Sequence, residues 1–545
     1  MLLVLSIQSN AWCQVNSSEV NPDQKSERNQ GVGVFNIVDY GAKGDGKTLN
    51  TGAIQAAIDA CNANKGGMVL VPAGDFLSGA LLLKSNVALH LASSALILGS
   101  TNEEDYYLGG ERSPAFINAE DADNITIEGK GTINGQGWAF PHGSEALPAD
   151  PHYKQDALDT SKPRWRPHML EFINCRYLTL RDITLTQSGN HCTHITNCSF
   201  LKINGVRIHN RSNHNNDGFD FTNCENVTVT NCNLSCGDDA MAFFEGNRNV
   251  IINDCIISSR WAGIRLGPAS TGVFENIAVS NCVFFDTYGS AIKIQMSGGG
   301  KMENISFSDL IMNNVTGPIS IVLTSFKGYQ KQSEEYFPVG VLRNIQFSRI
   351  RAAVADKPNP LQSETPIFEG ENKSCMTITS VNGHYIENVR FSDIEITFPG
   401  GGTSEDGQRR DIPELRGIYP EYFMFGVLPS YGMYVRNVQG LSLDNVRFDY
   451  QGTELRPAIV CQGVDGLDIT GFRAEGSMDA EALIRIEQSK NVFIQNSRPL
   501  NDIANFVRVE GDMCSEIHLN GNNLGRADKI VVTGNDVHTG AVIVK

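Results

Sequence analysis

Charge is scarce in this chain of 545 residues, at 19%, and it leans acidic: 61 Asp and Glu stand against 44 Lys and Arg, for a formal net charge of −17. A surface with that balance repels nucleic acid and anionic lipid. It also repels a polyuronate at long range, so an acidic sugar would need local Arg or Lys to hold it. No apolar run is long enough to cross a bilayer. The cysteine count is odd, at 13, and no two cysteines have CxxC spacing. That argues against a zinc site, and neither a metal nor another cofactor is expected. A basic n-region is missing from the apolar start Met1-Leu2-Leu3-Val4-Leu5-Ser6-Ile7. Residues 1–13 nonetheless read as a signal peptide with a truncated start, which implies a secreted or periplasmic protein. Cys13 as a lipid-anchored cysteine is the weaker alternative, because Ala11-Trp12 is a poor lead-in.

What the chain has in abundance is a short apolar–x–apolar triplet. Triplets begin at Ile125, Leu178, Leu201, Val227, Val250, Ile277, Ile305, Ile345, Val389, Leu441, Leu467 and Val492. From Leu178 on, most steps between them fall in the mid-twenties, and three run from 40 to 52 residues. Alternation within each triplet, as in Val227-Thr228-Val229, is that of a half-buried strand. Asn, Gly and Asp fill the gaps, where left-handed or tight-turn backbone is needed. A β-sandwich would place strands every 8–12 residues with no long period. The long period instead predicts an all-β fold, a single-stranded parallel β-helix occupying residues 31–545 as one domain. Six cysteines follow Asn or Asp in step with the repeat: Cys175, Cys198, Cys224, Cys232, Cys255 and Cys282. They read as small buried residues stacked inside the coil.

One helix is predicted over residues 51–63, with Ile54, Ala57, Ile58 and Cys61 on one face and Asn50 or Thr51 as its N-cap. It would cap the open N-terminal end of the solenoid. Three polar stretches interrupt the coils, near 327–338, 355–374 and 399–420, and read as loop insertions of the kind that decorate a binding face.

Asp217 and the pair Asp238-Asp239 lie 21 residues apart, about one turn of such a coil. Coiling would bring three carboxylates together on neighbouring rungs. Carboxylates crowded this closely cannot all ionise, so one becomes a general acid and another a base, which is the equipment of glycoside hydrolysis. Both members of the pair can face a cleft only if one sits at a strand end or bulge, which Gly237 permits. Taken alone, Asp217 also fits ordinary turn chemistry, and the pair also fits a calcium site.

Several blocks carry a resemblance to glycoside hydrolase family 28, the polygalacturonase-like proteins. They are Val38-Asp39-Tyr40-Gly41-Ala42-Lys43-Gly44-Asp45-Gly46, Val71-Pro72-Ala73-Gly74-Asp75-Phe76, and Gly129 to Gly137, followed by the central aspartates. The resemblance spans residues 35–457 and marks the chain as a divergent member. It implies a right-handed parallel β-helix and an inverting hydrolase. In that reading Asp238 protonates the glycosidic oxygen, while Asp217 and Asp239 hold and deprotonate water. Inversion generally separates acid and base by about 6.5–9.5 Å.

Two positions depart from the family pattern. Ala262, in Trp261-Ala262-Gly263, stands where a histidine is expected, and Ala291, in Ala291-Ile292-Lys293, stands where an arginine is expected. Lys293, Gln295 and Arg265 should face away from the isoleucines and leucine that flank them, so they are candidate substrate-binding residues. Trp261 is a candidate for stacking on a sugar. His214 is the candidate closest in sequence to replace the missing histidine, with His191, His194 and His209 behind it, and Arg260 is a weaker cation. Arg416, Glu421, Tyr422 and Gly426 to Gly432 resemble loop residues of bacterial family members and are expected to wall one end of the cleft. The partner is thus a cell-wall polysaccharide or oligosaccharide, pectic or otherwise uronate-containing, met by a monomer. A polysaccharide lyase and a glycan-binding protein without activity are the alternatives.

Overall fold

The computed structural model describes residues 33–141, 165–213, 215–326, 338–356, 371 and 373–545. The signal-like segment 1–13, with Cys13, lies outside these residues. So do His214 and most of the insertions near 327–338 and 355–374.

Nearly every strand pairs in parallel with a strand one coil away, and the chain is a parallel β-helix. Strand register explains the triplets. Ile125 pairs with Leu178, Leu201 with Val227, Val227 with Val250, and Val250 with Ile277. The same column continues through Ile305, Ile345, Val389, Leu441, Leu467 and Val492. The long steps of 40 to 52 residues are therefore single rungs enlarged by insertions, with no hidden coil between them. These residues are almost fully buried, and the core is a continuous stack along the axis.

The residue before each triplet turns the corner in left-handed backbone. Asn226, Asn249, Asn276, Asn304, Asn344 and Asn388 all have φ of 54–58°. Asn tolerates this region better than most residues, because its short amide can bond locally. The amides also stack across rungs, with Asn249 Nδ2 donating to Asn226 Oδ1 at 3.1 Å and Asn276 to Asn249 at 3.1 Å. The Asn-Cys pairs are a second corner of the same kind. Asn174, Asn197 and Asn223 are left-handed, and the following cysteines are buried and free. Their sulfurs meet backbone groups of neighbouring rungs, as where Cys198 Sγ accepts from Cys175 N at 3.2 Å.

The helix Thr51–Ala63 forms as predicted and buries Ile54, Ala57, Ile58 and Cys61 against the first strands. Asn50 occupies the N-cap position but does not cap. Its amide is already satisfied by Lys43 and Thr48 backbone, and Thr51 Oγ1 accepts instead from Gly79 N at 2.7 Å.

One sheet of the coil carries the polar face that matters below. Its successive strands are His168–Ile173, Thr193–Thr196, Phe219–Thr230, Met241–Asn253, Ile264–Leu266, Ile292–Met296, Ile319–Leu323, Met376–Ser380 and Met433–Arg436, followed by Ile459–Gln462, Ile484–Glu487 and Ile503–Glu510. The insertion 399–420 runs back along this face. Side chains of successive rungs hold its backbone: Arg485 donates to Gly407 and Arg409 carbonyls, Arg436 to Ile412 and Pro413, Thr324 to Leu415, and Gln295 to Pro420. A short helix, Ser404–Gln408, begins it with a Thr403–Asp406 capping box.

Candidate active site

Asp217, Asp238 and Asp239 converge. One carboxylate oxygen from each lies within 4.8 Å of the other two. The reason is stacking: each sits in the turn just before its strand, and those turns continue the ladder. Cys192 N donates to Asp217 O, Gly218 N to Asp239 O, and Ala240 N to Ala262 O. Gly218 is required here, since a Cβ would fall 2.3 Å from Ala240 O. The Asp217 turn is fixed by two buried amides. Asn210 Nδ2 donates to Asp217 O at 3.0 Å, and Asn216 Nδ2 donates to Asn190 O at 2.9 Å. The nearest oxygens of the three lie closer than the about 6.5–9.5 Å usual between an inverting acid and base, because neighbouring turns stack at roughly the interstrand spacing of about 4.8 Å; the inverting mechanism is instead supported as general to the family reported below.

Both members of the Asp pair can turn toward Asp217 because they precede the strand rather than belong to it. Asp239 is clamped: Arg265 Nη1 donates to its Oδ2 at 2.6 Å and Ala262 N to its Oδ1 at 2.9 Å. Asp238 is more open, with Asn215 Nδ2 at 3.4 Å from its Oδ2. Their ionisation differs accordingly. Burial and then the Asp239 charge push the Asp238 carboxyl up to about 7, against Arg265 and His191. Burial also works to raise Asp239, but the Arg265 guanidinium and the Lys293 ammonium outweigh it and hold the carboxyl below its usual range. Burial and the Asp220 carboxylate drive Asp217 well above that range.

Among the described residues, the histidine beside the trio is His191. Its Nε2 is 3.8 Å from Asp217 Oδ1 and its Nδ1 contacts Asp220. Burial alone would lower its pKa, but Asp217 and Asp220 outweigh burial and lift it to about 10, so it is an imidazolium near neutrality. The fold delivers His191 from one rung earlier, whereas His214, favoured by sequence proximity, lies outside the described residues. Asp220 and Arg166 were not anticipated. Asp220 stands between the inward Phe219 and Phe221, in the same register column as Glu171, His194, Ala242, Arg265 and Lys293. The alternation of polar and aromatic residues was the available signal. Arg166 Nη2 donates to Asn215 Oδ1 at 2.9 Å and interacts electrostatically with Asp217 and Asp238.

Arg265, Lys293 and Gln295 do point away from the core, but they are not exposed. Residues 419–423 cover them, leaving Lys293 at 1% and Gln295 at 0% exposure. Gln295 Oε1 accepts from Arg265 Nε and Nη2 at 3.2 Å each, and its Nε2 donates to Pro420 O at 2.7 Å. Lys293 Nζ pairs with Glu421 Oε2 at 2.7 Å. Trp261 is half-buried, with Lys293 Nζ 5.7 Å from its ring centroid and Phe423 against it. Tyr419 lies over Arg265, and Tyr422 is fully enclosed and reaches Tyr288 O. Arg416 is exposed. Ala262 and Ala291 are buried behind this wall.

A second group of potential ligands lies two rungs N-terminal, where His168, Glu171 and His194 each bring an atom within 4.8 Å of the others. Burial and the neighbouring His191 press His168 down to about 3, so it is neutral.

The comparisons with known proteins agree with this geometry. The chain is 30% identical over 349 residues to an exo-poly-α-D-galacturonosidase of Dickeya chrysanthemi, covering 54% of this chain and 57% of that protein. It thus spans little more than half of that relative's length. In fold it is similar to a family 28 exopolygalacturonase of Yersinia enterocolitica, with a TM-score of 0.56, 21% identity, and 79% and 77% of the two chains covered. An exopolygalacturonase of Thermotoga maritima gives a TM-score of 0.53 at 22% identity, over 67% of this chain and 87% of that one. The profile of the glycosyl hydrolases family 28 matches residues 61–407, well over half of the sequence, and the chain belongs to that family.

Proposed function

We propose that this protein is a glycoside hydrolase that cleaves a pectic polysaccharide, or oligosaccharides cut from it, by acid–base catalysis with inversion. The observation that carries the reading is the convergence of Asp217, Asp238 and Asp239 with their unequal surroundings. Asp238, protonated up to about 7, donates its proton to the glycosidic oxygen as the bond to the anomeric carbon breaks. A water held between Asp217 and Asp239 attacks that carbon. Its proton passes to Asp239, which Arg265 keeps ionised. His191 balances charge on the Asp217 side.

The name of the Dickeya relative and the family itself support the pectic class. The packing of Tyr419 on Arg265 and of Phe423 on Trp261 supports exo attack, as a wall on that side of the aspartates. The lyase alternative loses ground, since its base would be an Arg or Lys, and Arg265 and Lys293 are engaged with Asp239 and Glu421. The signal-like start supports secretion or a periplasmic location, and the reading needs only a monomer. No helix among the described residues is long and apolar enough to cross a membrane.

The test is hydrolysis of pectic oligosaccharides with the product's anomeric configuration followed by NMR. Inverted product that disappears in Asp238→Asn is expected. Retained configuration overturns the mechanism, and an unsaturated product absorbing near ~235 nm overturns the hydrolase.

A further inference from the structure

The wall beside the aspartates has an unusual economy of charge. Its two cations are Arg265 and Lys293, adjacent in the register of one sheet. Arg265 is held by Asp239 at 2.6 Å and lies 4.0 Å from Glu421. Lys293 is held by Glu421 at 2.7 Å. Neither carboxylate partner is exposed, nor is either cation. Glu421 does not come from the coil. It arrives at the end of the 399–420 insertion, whose backbone is fixed by Gln295, Thr324, Arg436 and Arg485. Pro420 accepts from Gln295 immediately before it, and Tyr422 is buried immediately after it, with its hydroxyl on Tyr288 O. The Glu421 carboxylate is therefore held from both sides over the Lys293 ammonium.

An acidic sugar reaching this wall would have to displace Glu421, or bring a second carboxylate to a lysine that already has one. Like charges brought together in a desolvated site cost several kcal/mol. An uncharged sugar unit has no such conflict: its hydroxyls can use the Glu421 oxygens and the Trp261 ring. Ala262 and Ala291 add no compensating positive charge.

We propose that Glu421 is a specificity-determining residue that neutralises the buried Lys293 behind this subsite, so that the sugar unit lying against Glu421 and Trp261 is an uncharged one. This rests on the reading of the site as that of a pectic glycosidase. It narrows the substrate to chains that present a neutral sugar next to the scissile bond on this side.

The experiment compares two probes of identical linkage, trigalacturonate and carboxyl-reduced trigalacturonate, on the full chain. Affinity is measured by calorimetry in the Asp238→Asn background to prevent turnover. The unsubstituted wall is expected to bind the reduced probe more tightly. Glu421→Gln keeps a hydrogen-bonding group of the same size and should tighten the charged probe by roughly tenfold or more while leaving the reduced probe within about threefold. Adding Lys293→Met to Glu421→Gln should abolish that gain. Tighter binding of trigalacturonate by the unsubstituted wall overturns the proposal, as does an affinity ratio that Glu421→Gln leaves unchanged. If Glu421→Gln fails to fold, the ratio for the unsubstituted wall still decides. Binding without any hydrolysis of either probe by the wild-type chain would instead count against the glycosidase reading, so the two failures are distinguishable.

Discussion

The insertion is fastened to the polar sheet at two ends, and the two fastenings differ in charge. At the far end, Arg410, Arg485 and Arg508 meet Glu481, Glu487 and Glu510, three against three. Arg485 pairs with Glu481 and Glu487 at 2.5 Å each, and Arg410 reaches Glu481 and Glu510 at 2.8 Å each. Burial works to raise Glu510, but Arg410 outweighs it and holds the carboxyl low. At the near end, Arg166, Arg265, Lys293 and His191 face five carboxylates: Asp217, Asp220, Asp238, Asp239 and Glu421. There burial, and after it the neighbouring carboxylates, leave Asp238 and Asp217 pushed up. Equal numbers of opposite charges give an anchor, although burial still pushes the Glu487 carboxyl up against Arg485 and Arg410. A deficit of positive charge gives titratable groups displaced toward the pH at which proton transfer is useful.

Substitution at each end should break this contrast in opposite ways. Asp238→Asn should lower kcat/KM by about 10²–10⁴. It should leave the melting temperature unchanged or raise it, because it removes one of several crowded acids. Arg485→Met should do the reverse. It strands the buried Glu487 and the half-buried Glu481 with one partner fewer, at roughly 3–5 kcal/mol of stability. Thermal unfolding measured beside steady-state kinetics separates the two. A large fall in melting temperature for Asp238→Asn would mean that the near cluster is an anchor as well.

How far the sequence anticipates this contrast depends on what kind of contact is involved. The coil is legible because every rung repeats the same local demand: an apolar triplet preceded by a residue that accepts left-handed backbone. Asp217 and the Asp238-Asp239 pair are legible because one rung of separation is a local quantity. The covering of Lys293 and Gln295 is not. It is made by Pro420 and Glu421, more than 120 positions later, and alternation along one strand tells only that a side chain leaves the core, not what meets it outside. Among the candidate histidines, closeness in sequence alone ranks His191 behind His214, but rung stacking is what carries His191 to Asp217. Whole-chain charge did anticipate the outcome in kind, since a net acidic protein would have to assemble local cations, and it did so only to neutralise them with its own carboxylates.

The pH profile sharpens the comparison further. Asp238 must carry its proton to act as acid, so kcat/KM should fall as pH rises through about 7. Asp239 must be ionised to act as base, and its depressed pKa keeps it so below the usual carboxylate range. Arg265 lowers both groups, so Arg265→Gln should move both limbs of the profile toward higher pH. Arg508→Gln, at the balanced end, should leave both limbs in place. A profile that moves equally for the two variants would show that net charge, rather than the Arg265 contact, sets the ionisation.

The smallest effect is expected where no charge is involved. Asn197 sits in left-handed backbone at φ 54°, donates to Asn174 Oδ1 at 3.3 Å and accepts from Asn223 Nδ2 at 2.8 Å. Asn197→Gly keeps the backbone conformation at no steric cost and loses only the amide ladder, an exposed pair of bonds worth about 1 kcal/mol or less. Asn197→Ala loses the same bonds and also places a Cβ in a region that disfavours it, adding about 1–2 kcal/mol. Denaturant unfolding of the two variants therefore separates the ladder from the corner. If Gly costs as much as Ala, the rungs are held by stacked amides; if Gly is nearly neutral, the asparagines are there for their backbone, and the coil's stability lies in its apolar column and its charged anchor.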